Sequence, residues 1–140
     1  MDSGRISGTN REIPPETTSR ARRRPHALPA TRRIRRRPEF LKVYEHGVRI
    51  RARLMTVVAR PNTQGQSRLG IAATRKLGGA VVRNRAKRLV RALFRNAEVP
   101  PGLDIVVIPR SDMLDADFRT LESEFRYALR RAGRQTGAGG

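Results

Sequence analysis

From Pro38 onward the chain alternates apolar and polar positions with a period that changes from segment to segment. In PEFLKVYEHG, Phe40 and Tyr44 stand four apart, Pro38 opens the run and Gly47 follows it. This predicts a short helix with proline in its first turn and glycine just past its end. IRARLMTVVAR (50–60) and RLGIAAT (68–74) are rich in β-branched residues and flank the turn-forming PNTQGQ. They predict two strands joined as an antiparallel hairpin. Over residues 80–96 the period becomes helical, and Val82, Ala86, Leu89, Val90 and Leu93 fall within a ~100° arc. Pro100, Pro101 and Gly102 interrupt the chain before LDIVVIP (103–109), a buried strand. A last helix is expected from about Leu114 to Ala132, burying Phe118, Leu121, Phe125 and Leu129. Asp115 and Asp117 at its start and Arg126, Arg130 and Arg131 toward its end suit the helix dipole. The order is an α+β layout of helices against one small sheet.

The ends read differently. Residues 1–27 carry Pro14, Pro15 and Pro25 and almost no large apolar side chains, which predicts a disordered basic tail. GRQTGAGG (133–140) predicts a second one, leaving a single domain over 28–132. No apolar run reaches the ~18 residues of a membrane span, and the first residues lack a signal-peptide core. There are no cysteines, which excludes disulfides, thiolate metal sites and cysteine nucleophiles and fits a reducing cytoplasm.

Charge changes the picture most. Lys plus Arg number 31 against 12 Asp plus Glu, for a net charge of +19. Such a field attracts polyanions. Only Lys42, Lys76 and Lys87 are lysines, so 28 are arginines, whose planar fork suits phosphate contacts and base stacking. From His46 through Ala97 there are 13 basic residues and no acid. On the helix of residues 80–96, Arg83, Asn84, Lys87, Arg88, Arg91 and Arg95 oppose the apolar arc, with Arg85 in the same segment. A solvated helix face normally mixes signs. This unmixed rail, with Gly78 and Gly79 opening the helix for close approach of an anion, points to phosphate.

Catalytic groups are scarce. Phosphodiester cleavage by protein-bound Mg²⁺ needs clustered carboxylates, and the basic region has none. Asp112, Asp115 and Asp117 are explained by helix capping, and His26 and His46 are the only histidines, one in the tail and one at a helix end. No catalytic residue and no protein metal site is assigned.

RKLGGAVVRNRAKRLVRALFR resembles the signature of the bacterial ribonuclease P protein subunit through Gly78, Ala80, Val81, Arg83, Asn84, Arg85, Lys87, Arg88 and Arg91. RRRPEFLKVYEHG, RLGIAATRK and LDIVVIPR resemble the family's first helix, central strand with its loop, and last strand. The resemblance implies a single-domain αβββαβα two-layer sandwich with a left-handed βαβ crossover. It implies a protein that binds a large catalytic RNA and the 5′ leader of precursor tRNA, assisting leader removal. Mg²⁺ would be held mainly by the RNA, with no small-molecule cofactor and no membrane involved. Arg75, Lys76, Arg83, Asn84, Arg85, Lys87, Arg88 and Arg91 would contact the RNA subunit, and Phe40 and Tyr44 the leader. Two positions depart from the family pattern: Val58 stands where an aromatic is frequent in the cleft, and Gly79 where Asn is common.

Composition alone admits two other readings. One is a structural RNA-binding protein such as a ribosomal protein. The other is a DNA-binding module using the helix from Val81 to Arg95 in a major groove, although a strand and loop precede that helix where a helix-turn-helix would place another helix.

Overall fold

A computed structural model describes residues 28–136, so the expected tail over 1–27, with His26, and residues 137–140 lie outside the described residues. The chain forms α1 (Arg37–His46), β1 (Val48–Arg51), β2 (Met55–Pro61), β3 (Arg68–Ile71), α2 (Ala80–Asn96), β4 (Leu103–Pro109) and α3 (Phe118–Thr136). The order is αβββαβα, and the sheet runs β1-β2-β4-β3. β4 pairs antiparallel with β2, matching Val58 to Val106, and parallel with β3, matching Gly70 to Val106.

α1 starts and stops as its sequence predicts. Pro38 sits in the first turn, where no backbone donor is needed, and Glu39 reaches back to the Arg36 amide. At its end the Gly47 amide donates to the Val43 carbonyl at 2.7 Å. Glycine is needed there for closeness rather than for an unusual φ: an added Cβ would collide with that carbonyl and lie 2.9 Å from the Ala59 carbonyl.

The strand reading needs two corrections. Residues 50–60 are not one strand but end β1 and begin β2, with a tight turn at Ala52–Leu54. No local turn residue announces it. α3 holds it instead, Glu124 Oε1 accepting from the Leu54 amide at 3.2 Å. The hairpin expected between 50–60 and 68–74 does not form, because β4 inserts between β2 and β3. Apart from Asp104, β4 is apolar on both faces and nearly all of it is buried, so it takes the centre of the sheet.

Helices cover both faces. The larger core lies between the sheet and α2 with α3, around Met55, Val57, Ile105, Val107, Leu93 and Phe125. Across the sheet, Ile34, Val43, Val58 and Val106 form a smaller cluster beneath α1. The expected two-layer arrangement describes the larger core, and α1 adds a partial layer on the opposite face.

The last helix also differs from its expected bounds. Residues 111–115 form a 3₁₀ turn, and Asp117 caps α3, its Oδ1 accepting from the Thr120 amide at 2.9 Å. α3 continues to Thr136, so residues 133–136 belong to the domain and not to a tail. Ala132 and Gly133 are buried, and packing of the last turns outweighs the weak helix propensity of glycine.

Candidate nucleic-acid interface

α2 separates its residues as its period requires. Ala86, Val90, Leu93 and Phe94 are buried, while Val82 and Leu89 are half-buried at the edge. Phe94 lies outside the arc assigned from the sequence. It is buried because the N-terminal segment folds over it, the Arg32 guanidinium lying 5.3 Å from its ring centroid.

On the other side Asn84, Arg85, Arg88 and Arg95 are exposed and Arg83, Lys87 and Arg91 half-exposed. Arg75 and Lys76 are exposed in the turn before α2. Arg83, Arg85, Lys87, Arg88 and Arg95 form no ion pair among the described residues. Arg85 instead donates to the Leu114 carbonyl at 3.2 Å, and Arg83 Nε to the Gly79 carbonyl at 3.4 Å. Gly78 enters the helix at φ +148°, a conformation that side chains resist, and an added Cβ would lie 3.0 Å from Val82. Gly79 is the N-cap with open space around it and no side-chain cap. Asn would fit there.

Phe40 and Tyr44 face the sheet from α1, half-buried, with ring centroids 6.4 Å apart and planes at 49°. The Phe40 ring lies on β3 at Gly70, where a Cβ would come within 3.0 Å of Cε1 and Cζ. The Arg49 guanidinium lies 6.0 Å from the Tyr44 ring centroid. Burial pushes the Tyr44 hydroxyl above its ordinary pKa, with Arg49 opposing, so the phenol stays protonated. Val58 is fully buried beneath α1 and offers no surface.

A salt-bridge network that the sequence did not reveal fixes α1 on the sheet. Arg68 donates to Asp104 through Nε at 2.9 Å and NH2 at 2.8 Å, and its NH1 donates to Glu39 on α1 at 3.0 Å. Asn62 completes the group with a 2.8 Å bond to Asp104. Burial alone would raise the Asp104 carboxyl, but Arg68 and Asn62 outweigh it and hold the pKa below the ordinary range. Glu39 is lowered likewise, its burial offset by Arg68 and the Arg36 amide. The Asp104 bonds raise Arg68 further, against its own partial burial.

The two groups of candidate residues meet in one depression of about 360 Å³. Its apolar wall is Ile34, Phe40, Leu69 and Ile71, and its cations are Arg33, Arg35, Lys87 and Arg91. Arg33 and Arg35 were missed as site residues, although the run RRIRRR marks them as basic. The segment carrying them runs along the outer edge of β3, bridging Arg33 to Leu69, with the Ile34 amide donating to the Leu69 carbonyl at 2.9 Å. Arg33 Nε is buried without a partner among the described residues. His46 stands apart, exposed in the last turn of α1 and 3.9 Å from Glu45. Among the described residues no three acidic, histidine or cysteine side chains converge as a metal site would require, and no helix is long and apolar enough to cross a membrane.

Fold and site define a small, basic α+β protein whose acid-free helical face adjoins an aromatic cleft. The Ribonuclease P family profile matches residues 28–133. The ribonuclease P protein component of Thermotoga sp. (strain RQ2) is 38% identical over 105 residues, spanning 71% of this chain and 90% of that protein. That of Clostridioides difficile (strain 630) is 31% identical over 104 residues, spanning 72% and 91%. The solved RNase P protein from Thermotoga maritima superposes with a TM-score of 0.66 at 39% identity, covering 71% of this chain and 96% of that one. The Staphylococcus aureus RNase P protein gives 0.64 at 30%, covering 72% and 94%. The chain belongs to the ribonuclease P protein family, the protein component of a ribonucleoprotein endoribonuclease that processes tRNA. The ribosomal and DNA-binding alternatives are not favoured.

Proposed function

We propose that this chain binds the catalytic RNA through α2 and the Arg75–Lys76 turn while the cleft beside α1 takes the 5′ leader of precursor tRNA. The observation that carries this reading is the shared depression, in which Phe40 of the cleft and Lys87 and Arg91 of the basic helix line one space. A strand leaving the cleft there meets cations already facing the RNA.

The chain's part is electrostatic and positional. Two RNAs brought together repel through their phosphates, and arginines on both sides of the depression lower that repulsion. Phe40 and Tyr44 give unpaired leader bases a surface to stack on, a contact that tolerates any base. The scattered carboxylates of the described residues do not fit a Mg²⁺ site, and the most buried of them, Asp104, is already engaged by Arg68. We assign Mg²⁺ to the RNA, and no step of cleavage passes through this chain's side chains.

Reconstitution with a bacterial ribonuclease P RNA tests the reading. Adding the protein is expected to restore leader removal at Mg²⁺ concentrations where the RNA alone is slow, and RNA-free protein is expected to be inactive. Equal rates with and without the protein, or efficient cleavage by protein alone, would refute it.

A further inference from the structure

The C-terminal half of α3 carries a second positive face, with Glu98 of the α2–β4 connection beside its first two arginines. Arg126, Arg130, Arg131 and Arg134 are all exposed, together with Tyr127 at 45% exposure. Successive 100° steps put these five within a ~140° arc opposite Phe125, Ala128, Leu129 and Ala132, which are buried. The last acid of the chain is Glu124, and it is already occupied with the Leu54 amide. Arg126, Arg130 and Arg134 form no ion pair among the described residues.

Helix-dipole compensation accounts for Arg134 in the last turn, but Arg130 and Arg126 lie about one and two turns further back, where that effect has faded. As like charges at i, i+4 spacing, these three also weaken the helix that carries them. Arg131 is held in place, NH1 donating to the Tyr127 hydroxyl at 3.1 Å and the guanidinium 5.7 Å from the ring centroid. The face begins beside the end of α2: Asn96 and Glu98 line one depression with Arg126 and Arg130. It therefore adjoins the helix assigned to the catalytic RNA.

We infer that this face of α3 is a second contact for the same RNA, gripping the phosphates of a segment distinct from the one on α2. The inference rests on the proposed function. Arg126, Arg130 and Arg134 form a row about 12 Å long at 1.5 Å per residue, a span over which an RNA strand presents several phosphates. Arg131, pinned on Tyr127, adds a cation whose position is fixed before binding.

The chain has no cysteine, so Arg130→Cys and Val81→Cys each provide a single attachment point for an iron–EDTA group in the reconstituted holoenzyme. Val81 is 81% exposed in the first turn of α2 and is not among the assigned contacts. With saturating protein, hydroxyl radicals from both positions are expected to cut the RNA, at two separate sets of riboses. In parallel, Arg126→Gln/Arg130→Gln/Arg134→Gln is expected to melt no lower than the unsubstituted protein, since it relieves like-charge repulsion. The variant's slope of log affinity against log salt should fall by roughly 2–3, at about 0.7–0.9 per phosphate contact. Cutting from Val81→Cys but not from Arg130→Cys would overturn the inference and leave the proposed function standing. Cutting from neither would overturn both. An unchanged salt slope in the triple variant would assign the face to a partner other than this RNA and so refute the inference.

Discussion

Replacing Phe40 separates a stacking surface from a core residue. The ring is half-buried, and its inner edge lies on Gly70. Phe→Ala at a fully buried site costs about 3–5 kcal/mol, so a half-buried ring should cost roughly half, about 2 kcal/mol. Stacking of one base is worth about 1–3 kcal/mol, which at 1.4 kcal/mol per decade corresponds to a roughly 5- to 150-fold loss of affinity. Phe40→Ala is therefore expected to bind precursor tRNA 5- to 150-fold more weakly in the reconstituted enzyme, with mature tRNA affinity unchanged because it has no leader. Phe40→Leu retains apolar bulk over Gly70 without a π face, so it should recover most of the melting temperature but little of the precursor affinity. Fluorescence titration of labelled precursor and mature tRNA, run beside thermal melts, gives all four quantities. Parallel losses for both tRNAs, or full recovery of precursor affinity by Phe40→Leu, would show that Phe40 serves only packing.

The two faces of α2 should respond oppositely: Arg88→Ala lowers the RNA-binding salt slope by roughly 0.7–0.9 with little effect on melting. Leu93→Ala, at a fully buried position, destabilises the fold by about 2–5 kcal/mol. Gly79→Asn should raise stability by a few tenths of a kcal/mol, since the open N-cap lets the Asn side chain accept a backbone hydrogen bond, and denaturant titration at unchanged RNA affinity checks it. Asp104 has a lowered carboxyl pKa in the folded state, so protonation favours unfolding. Its contribution is complete above the ordinary value near ~3.9 and is lost as pH falls through the lowered one. Asp104→Asn should therefore reduce melting temperature at neutral pH and flatten its acid limb, and an unaltered limb would contradict the role given to the Arg68 network.

Where a residue's own chemistry decides its structure, the chain was readable. Pro38 and Gly47 bound α1, the period of residues 80–96 separated the two faces of α2, and the apolar run of β4 marked a buried strand. What escaped depends on partners distant in sequence. The turn at Ala52–Leu54 is held by Glu124, seventy positions away, and Phe94 is covered by Arg32. Arg68, Asp104 and Glu39 look like three unrelated charges until the sheet brings them together. Gly133 suggested an ending because glycine is a poor helix former, and burial of the last turns reversed that. At the site, the motif around Arg83–Arg91 was legible, whereas the contribution of Arg33 and Arg35 required the strand-edge contact that places them.

That contact also bears on how the protein behaves in solution. An open sheet presents two rows of unpaired backbone groups, each a template on which another chain can add a strand. The bridge from Arg33 to Leu69 covers the β3 side. β1, at the other side, is only four residues long and has arginine at two of them, Arg49 and Arg51, which repel an identical neighbour. Residues 28–34 are thus part of the fold's protection as much as of the depression beside α1. A chain beginning at Arg36 would lose the cover over β3 and the Arg32–Phe94 contact together, and would become prone to edge-to-edge association in the absence of RNA.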